Sequence, residues 1–292
     1  MIIGTLVLLS SSLLNTKPAP VFADIRIGAD GPYRFLVDTG AQTSLIDPKL
    51  AAALHFKPEF RVDVITQNSA QLSPGAKARN LYIGERALPE TELIVYDVTE
   101  ARRLDPKVRG VLGVNALAGF DFTLSPTTGH LELTADRPEG EVVPFYPIEG
   151  RIGLKARMGS EILTLILDSG SSHVVLFRTP VAMAKTKSVA STFGTLDGAR
   201  RTVPTTWTAD MFFDRLRVPM LPAAIVERKA TQADGLLPAS VFQKIHVDRT
   251  RGEVVLVRQP LPGGSAASHL DVSRDNFVDR RQWDASRGLR RQ

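Results

Sequence analysis

The chain has no cysteine among its 292 residues. Disulfides, cysteine nucleophiles and thiolate metal sites are therefore excluded together. Histidine is scarce. His55, His130, His173, His246 and His269 are the five, and no two stand at the spacing of zinc ligands. Neither a Gly-x-Ser-x-Gly elbow nor a Gly-x-x-x-x-Gly-Lys loop occurs, which closes the usual routes to a serine hydrolase or a P-loop enzyme. No cofactor and no metal are expected. Blocks of five or more like charges are also missing, and the net charge of +5 is spread along the chain. That pattern fits a solvated surface and argues against a nucleic-acid partner. Long apolar runs are absent as well. The best, Ile2 to Leu14, has thirteen residues, too few for a helix across a bilayer core of about 30 Å. No integral membrane span is expected. The length suits the apolar region of a signal peptide, so residues 1–17 are expected to direct export to the periplasm or beyond.

What is present is a repeat. Phe35-Leu36-Val37 runs into Asp38-Thr39-Gly40-Ala41, and Leu165-Ile166-Leu167 runs into Asp168-Ser169-Gly170-Ser171-Ser172, 130 residues later. Each is an apolar strand ending in an acid, a hydroxyl residue and a glycine. The repeat continues downstream. Gly110-Val111-Leu112-Gly113 follows the first acid by 72 residues, and Gly235-Leu236-Leu237-Pro238 follows the second by 67. An aromatic residue and a hairpin pattern with one turn glycine come next in both halves: Phe120 to Leu133 around Gly129, and Phe242 to Leu256 around Gly252.

Short strand-like segments dominate the rest. Val21 to Ile27, Tyr33 to Val37, Leu81 to Ile83, Leu93 to Tyr96, Ile152 to Met158 and Glu161 to Leu167 read as strands, and Pro48 to Leu54 as a short helix. The fold class expected is all-β. At this length the chain can bury two cores of about 110–120 residues each. Pro138, Gly140, Pro144 and Pro147 interrupt the pattern between residues 134 and 150, which sets expected lobes at 18–140 and 141–260. Beyond Pro260 a polar, arginine-containing tail, 261–292, is expected to be mobile.

The two acid loops give this chain its likeness to a known family. Asp38-Thr39-Gly40-Ala41 resembles the retroviral form of the aspartic-protease motif. Asp168-Ser169-Gly170-Ser171-Ser172, followed by Val174-Val175-Leu176, resembles the pepsin form. Over roughly residues 20–257 the chain looks like a bacterial, single-chain, two-lobe member of the pepsin and retropepsin group. The resemblance implies two related β-barrel lobes with the active-site cleft between them. It also implies that Gly110–Gly113 packs behind Asp38 and that Ser172 hydrogen-bonds Asp168. Pro238 stands where the family pattern has glycine.

The chemistry such a chain can perform follows from the residue types. Two carboxylates in contact cannot both ionise, so Asp38 and Asp168 can share one proton. The ionised acid takes a proton from water while the protonated one polarises a peptide carbonyl. Gly40 and Gly170 lack side chains and let the loops approach. The Thr39 and Ser169 hydroxyls both donate and accept, and can tie the loops together behind the acids. The reading is an aspartic endopeptidase acting on peptide or protein substrates as a monomer with an intramolecular dyad. Flaps are expected at Thr66–Gly75 and Phe193–Arg201. Two alternatives remain open at this point: a catalytically inactive peptide-binding protein of the same fold, and, more remotely, an actin-like ATPase, whose phosphate loops also carry acid-x-glycine strings.

Overall fold

A computed structural model of the chain describes residues 19–65, 70–183, 187–195, 198–228 and 232–259. The expected signal peptide and C-terminal tail lie outside these residues, as do residues 66–69 and 196–197 of the two expected flaps.

The first half runs β1 (Phe22–Ile27), β2 (Asp30–Val37), β3 (Ser44–Ile46), α1 (Pro48–Ala53), β4 (Phe60–Ile65), β5 (Ala70–Ala78), β6 (Leu81–Ile83), β7 (Arg86–Ala87), β8 (Thr91–Val95), α2 (Thr99–Arg102), β9 (Val108–Leu112), β10 (Phe122–Ser125) and β11 (His130–Glu132). After β12 (Glu141–Ile148) the second half runs β13 (Arg151–Met158), β14 (Glu161–Asp168), β15 (Val174–Leu176), β16 (Val189–Gly194), β17 (Arg200–Trp207), β18 (Met211–Phe213), β19 (Leu216–Val218), β20 (Pro222–Ile225), β21 (Gly235–Pro238), β22 (Phe242–Asp248) and β23 (Glu253–Arg258). The chain is all-β, with only two short α-helices among the described residues. That composition leaves no room for the helix-rich architecture an actin-like ATPase needs.

The pairing repeats strand for strand. In the first lobe the order is β4-β5-β8-β3-β9-β2-β1-β6-β7. In the second it is β16-β17-β20-β15-β21-β14-β13-β18-β19. Within each, the strand carrying the acid lies parallel to the strand carrying the downstream repeat: Val37 beside Leu112, and Asp168 beside Pro238. A parallel pair needs a long crossover, and 72 or 67 intervening residues supply it. The two lobes then share a sheet. β10 pairs with β22, setting Thr123 opposite His246, and β23 pairs with β12. His246 is buried there, with Nδ1 3.0 Å from Thr123 Oγ1.

The stretch expected to interrupt the pattern contains β12. Its first part pairs with β23 and its last part with β13. Pro144 is the last paired residue of one ladder, and Pro147 lies one residue from the hairpin turn that closes the next. The helix at Pro48 forms as expected. Asp47 caps it, its Oδ1 accepting from the Lys49 and Leu50 N–H groups at 3.0 and 3.3 Å, and Pro48 occupies the first turn, where its lost donor has no partner to miss.

The acid-bearing strands read as apolar on both faces because both faces are covered. Phe35 and Val37 enter the main core while Leu36 enters a second cluster with Leu45, Ile94 and Val111. Likewise Leu163, Leu165 and Leu167 face the main core, and Ile166 faces Ile148, Val175 and Leu236. Strands packed between two layers lose the alternation of a half-exposed strand. The downstream repeats need glycine for space. A Cβ on Gly110 would lie 2.1 Å from the Phe35 ring, and one on Gly235 would lie 2.1 Å from the Val175 carbonyl oxygen. Pro238 sits at the level of Asp168 with φ −66°, its natural value, and opens a 3₁₀ turn.

Gly235→Ala is expected to destabilise the protein by roughly 2–3 kcal/mol through this overpacking against main chain. Gly119→Ala, with nothing within 4 Å of the new methyl, is expected to be near neutral. Chemical denaturation of the two variants checks the difference. Equal stabilities would show that the strand spacing is not constrained by the glycine.

Candidate active site

Each acid is delivered by the end of a sandwiched strand and held by the turn that follows. Asp38 Oδ1 accepts from the N–H groups of Gly40 and Ala41, at 2.9 and 3.1 Å. Asp168 Oδ1 accepts from Gly170 and Ser171, at 2.8 and 3.0 Å. The two turns are equivalent atom for atom. They fix each carboxyl's orientation through main chain, which side-chain motion cannot loosen.

The hydroxyl residues join the loops. Thr39 Oγ1 donates to the Leu167 carbonyl at 2.8 Å, and Ser169 Oγ donates to the Val37 carbonyl at 2.7 Å. In return the Thr39 N–H donates to Ser169 Oγ and the Ser169 N–H donates to Thr39 Oγ1, both at 3.0 Å. Four hydrogen bonds thus cross between the lobes directly behind the acids. Each hydroxyl acts as donor and acceptor at once, which neither alanine nor valine can imitate.

This clamp brings the acids together. A Cβ on Gly40 would lie 2.5 Å from Asp168 Cγ, and one on Gly170 would lie 2.7 Å from Asp38 Cγ. Only glycine fits at either position. Each carboxyl thus lies against the glycine of the opposite loop. Treated as two carboxylates, Asp38 Oδ2 and Asp168 Oδ2 are both buried acceptors with no donor among the described residues. One shared proton removes the conflict, since it turns one of the pair into a donor. Burial is the largest influence on both acids and raises both above the ordinary carboxyl value; for Asp168 the charge of Asp38 adds to it and carries it well above. Backbone donors and the charge of Arg151 pull Asp38 back down. The pair therefore titrates as a unit, and its two proton losses belong to both acids together.

Ser172 Oγ lies 3.1 Å from His173 Nδ1. His173 packs edge-on against Phe193, with ring centroids 6.2 Å apart, and burial lowers it to about 4. It is a neutral packing group over most of the pH range. Trp207 is 47% exposed on β17. The segments expected as flaps belong, in their described parts, to two equivalent hairpins, β4–β5 and β16–β17. A cavity of about 430 Å³ runs from the Ser169–Ser172 loop beneath Thr192 and Phe193 of the second hairpin, toward Leu36 and the α2 segment of the first lobe.

Three residues near the dyad carry no motif: Gln42, Glu149 and Arg151. Gln42 Nε2 donates to the Glu149 carbonyl and to Glu149 Oε2, at 3.2 and 3.0 Å. Arg151 is buried and paired with Glu149. A single charged residue at the start of a strand has no sequence signal of its own. Only the register of β13 against β14 marks it.

Two sandwiched acid loops, clamped by reciprocal hydroxyl bonds and approached through glycine, are consistent with an all-β pepsin-like fold. Residues 23–116 match the family model described as aspartyl protease, which supports a retropepsin/pepsin-like aspartyl protease family. The match spans Asp38 and the Gly110–Gly113 strand behind it, and the second lobe repeats that unit strand for strand. No curated protein matches the chain. Among the described residues no helix is long and apolar enough to cross a membrane.

The raised acids make stability depend on pH. The folded pair retains a proton that the unfolded chain releases near the ordinary carboxyl value of 3.8. Folding stability is thus fully present below that value and is lost as pH rises toward the second ionisation of the pair. The melting temperature is expected to fall across this window, and to fall less in Asp168→Asn, which has one acid fewer to ionise. Identical pH slopes in the two proteins would overturn the shared-proton account.

Proposed function

We propose that the protein is an aspartic endopeptidase in which Asp38 and Asp168 activate a water molecule between them. The family-model match supports hydrolase activity on peptides, and the assignment of these two acids rests on one observation: two buried carboxyls delivered to the same place by the two loops, each with one oxygen that has no donor among the described residues.

In this reading the ionised acid, written here as Asp38, takes the proton from water as it attacks the scissile carbonyl. Asp168 donates its proton to the carbonyl oxygen. The roles then reverse, and the proton now on Asp38 passes to the leaving nitrogen as the C–N bond breaks. The Thr39–Ser169 clamp contributes orientation, keeping both carboxyls in reach of one bound carbonyl. Asp38 and Asp168 are 1% and 0% exposed, so substrate entry requires the β4–β5 and β16–β17 hairpins to open and then to close over it. Peptide substrates enter as extended strands, which the exposed edges of such hairpins pair with readily. Export to the periplasm or beyond is proposed on the apolar N-terminal stretch alone.

Asp38→Asn and Asp168→Asn are each expected to lower peptide cleavage by about 10³-fold or more, and the double variant to be no worse than either, because the acids act as a unit. A peptide-library digest from acidic to neutral pH reads this directly. Cleavage should follow a bell on the acidic side and be blocked by a statine-type hydroxyl inhibitor, which mimics the hydrated carbonyl. Near-wild-type cleavage by either variant would reject the mechanism. Inhibitor binding without cleavage at any pH would identify a peptide-binding protein of the same fold.

A further inference from the structure

The two acid loops are nearly superimposable, yet their surroundings differ in one charge. In the second lobe the register of β13 against β14 runs Leu154 to Leu165 and Gly153 to Ile166. Continued by two residues within the same two strands, it sets Arg151 opposite Asp168. In the first lobe Phe22 pairs with Leu36, and the Val37 N–H donates to the Val21 carbonyl. The same extension there sets Pro20 opposite Asp38. On the continued register one acid thus has an arginine across the sheet and the other a proline.

Arg151 is 7% exposed and held in place. Its Nε donates to the Ile148 carbonyl at 3.4 Å and its Nη2 pairs with the Glu149 carboxylate. Glu149 is itself unusual. It has φ +51° beside Gly150 at +81°, a two-residue hairpin turn in which both positions are left-handed. Asn or Gly is the comfortable residue at Glu149's position, and a glutamate there stores strain of the kind found at functional sites. It is kept by contacts to the other lobe, since Gln42, four residues after Asp38, donates twice to it. The cluster is thus anchored to both acid loops.

We propose that Arg151 is a positioning residue that holds a fixed positive charge against the dyad, and that Glu149, anchored by Gln42, meters that charge. The proposal rests on Asp38 and Asp168 being a proton-sharing pair. The charged and titratable groups on this side of the dyad are Glu149 in the β12–β13 turn, Asp38 after β2, Asp168 at the end of β14, His173 in the loop that follows, and Arg228 after β20. Arg228 feels Arg151 and, beyond it, Arg201 of β17. His173 is neutral above about 4. The Arg151 charge acts on both acids, and Glu149 opposes it. A positive charge favours ionisation, so it moves both proton losses of the pair to lower pH. A buried Arg cannot relieve this by deprotonating.

The sign differs between the two members of the cluster, which makes the test specific. Arg151→Gln is expected to move both limbs of the pH–rate bell to higher pH: about threefold less cleavage at a fixed pH on the acidic limb, about threefold more on the alkaline limb. Glu149→Gln leaves the guanidinium unopposed and is expected to move both limbs the other way. Arg151→Lys, which keeps the charge, should restore most of the wild-type position. The same titrations are followed by carbon-13 NMR of carboxyl-labelled aspartate, with the dyad signals assigned by their loss in Asp38→Asn and Asp168→Asn. NMR needs no turnover, so a protein that cleaves nothing still tests the charge. If Arg151→Gln does not fold, the half-exposed Glu149 carries the test alone. Opposite displacements of the dyad titration support the proposal. Equal loss of activity at every pH, with the dyad titrations unmoved, assigns Arg151 and Glu149 a structural role and overturns it. Dyad titrations that show two independent, uncoupled acids overturn the proton-sharing pair instead.

Discussion

Two carboxyl groups in contact cannot both be charged, and the rest of the structure is organised around keeping them in contact. Left to itself, like-charge repulsion would push the lobes apart as pH rises. The counterforce is the clamp of Thr39 and Ser169, whose four hydrogen bonds cross directly behind the acids. It acts where the lever arm is shortest. Behind it the shared sheet of β10, β22, β23 and β12 fixes the lobes at a greater distance. Neither device suffices alone. The sheet sets the lobes' relative placement to within the play of side chains, and the clamp removes that play.

Packing serves the same end. The acid-bearing strands are covered on both faces, and close-packed interiors transmit displacement poorly damped. A shift anywhere along Phe35–Val37 or Leu165–Leu167 would arrive at a carboxyl. The glycines at positions 110 and 235 permit the neighbouring strands to approach without a side chain in the way. Those at 40 and 170 do the same for the acids themselves. Four glycines with four different neighbours thus serve one geometric requirement.

The approximate twofold likeness of the lobes leaves open which acid does what. Symmetric surroundings would make the proton indifferent to its site. The surroundings are not symmetric. Asp168 lies opposite Arg151 and Asp38 opposite Pro20, and the Asp168 loop continues into His173 where the Asp38 loop continues into Thr43. Division of labour between two chemically identical residues comes from such neighbours and from nothing in the motif.

Sequence alone was enough for the all-β class, the repeat, the two acids and the hydroxyl residues that clamp them. Each of these has a local signature. An acid after an apolar strand, a hydroxyl beside it and a glycine after that are adjacent in the chain, and their duplication marks them as one device used twice. The helix at Pro48 was legible for the same reason, since Asp47 and Pro48 make its cap. Two matters were decided by tertiary structure. The proline-rich stretch at 141–148 is a strand because two ladders meet inside it. Arg151 stands against the dyad because of a register 17 residues away in the chain. A single charged side chain contributes no pattern, and only the folding of β13 onto β14 gives it a partner.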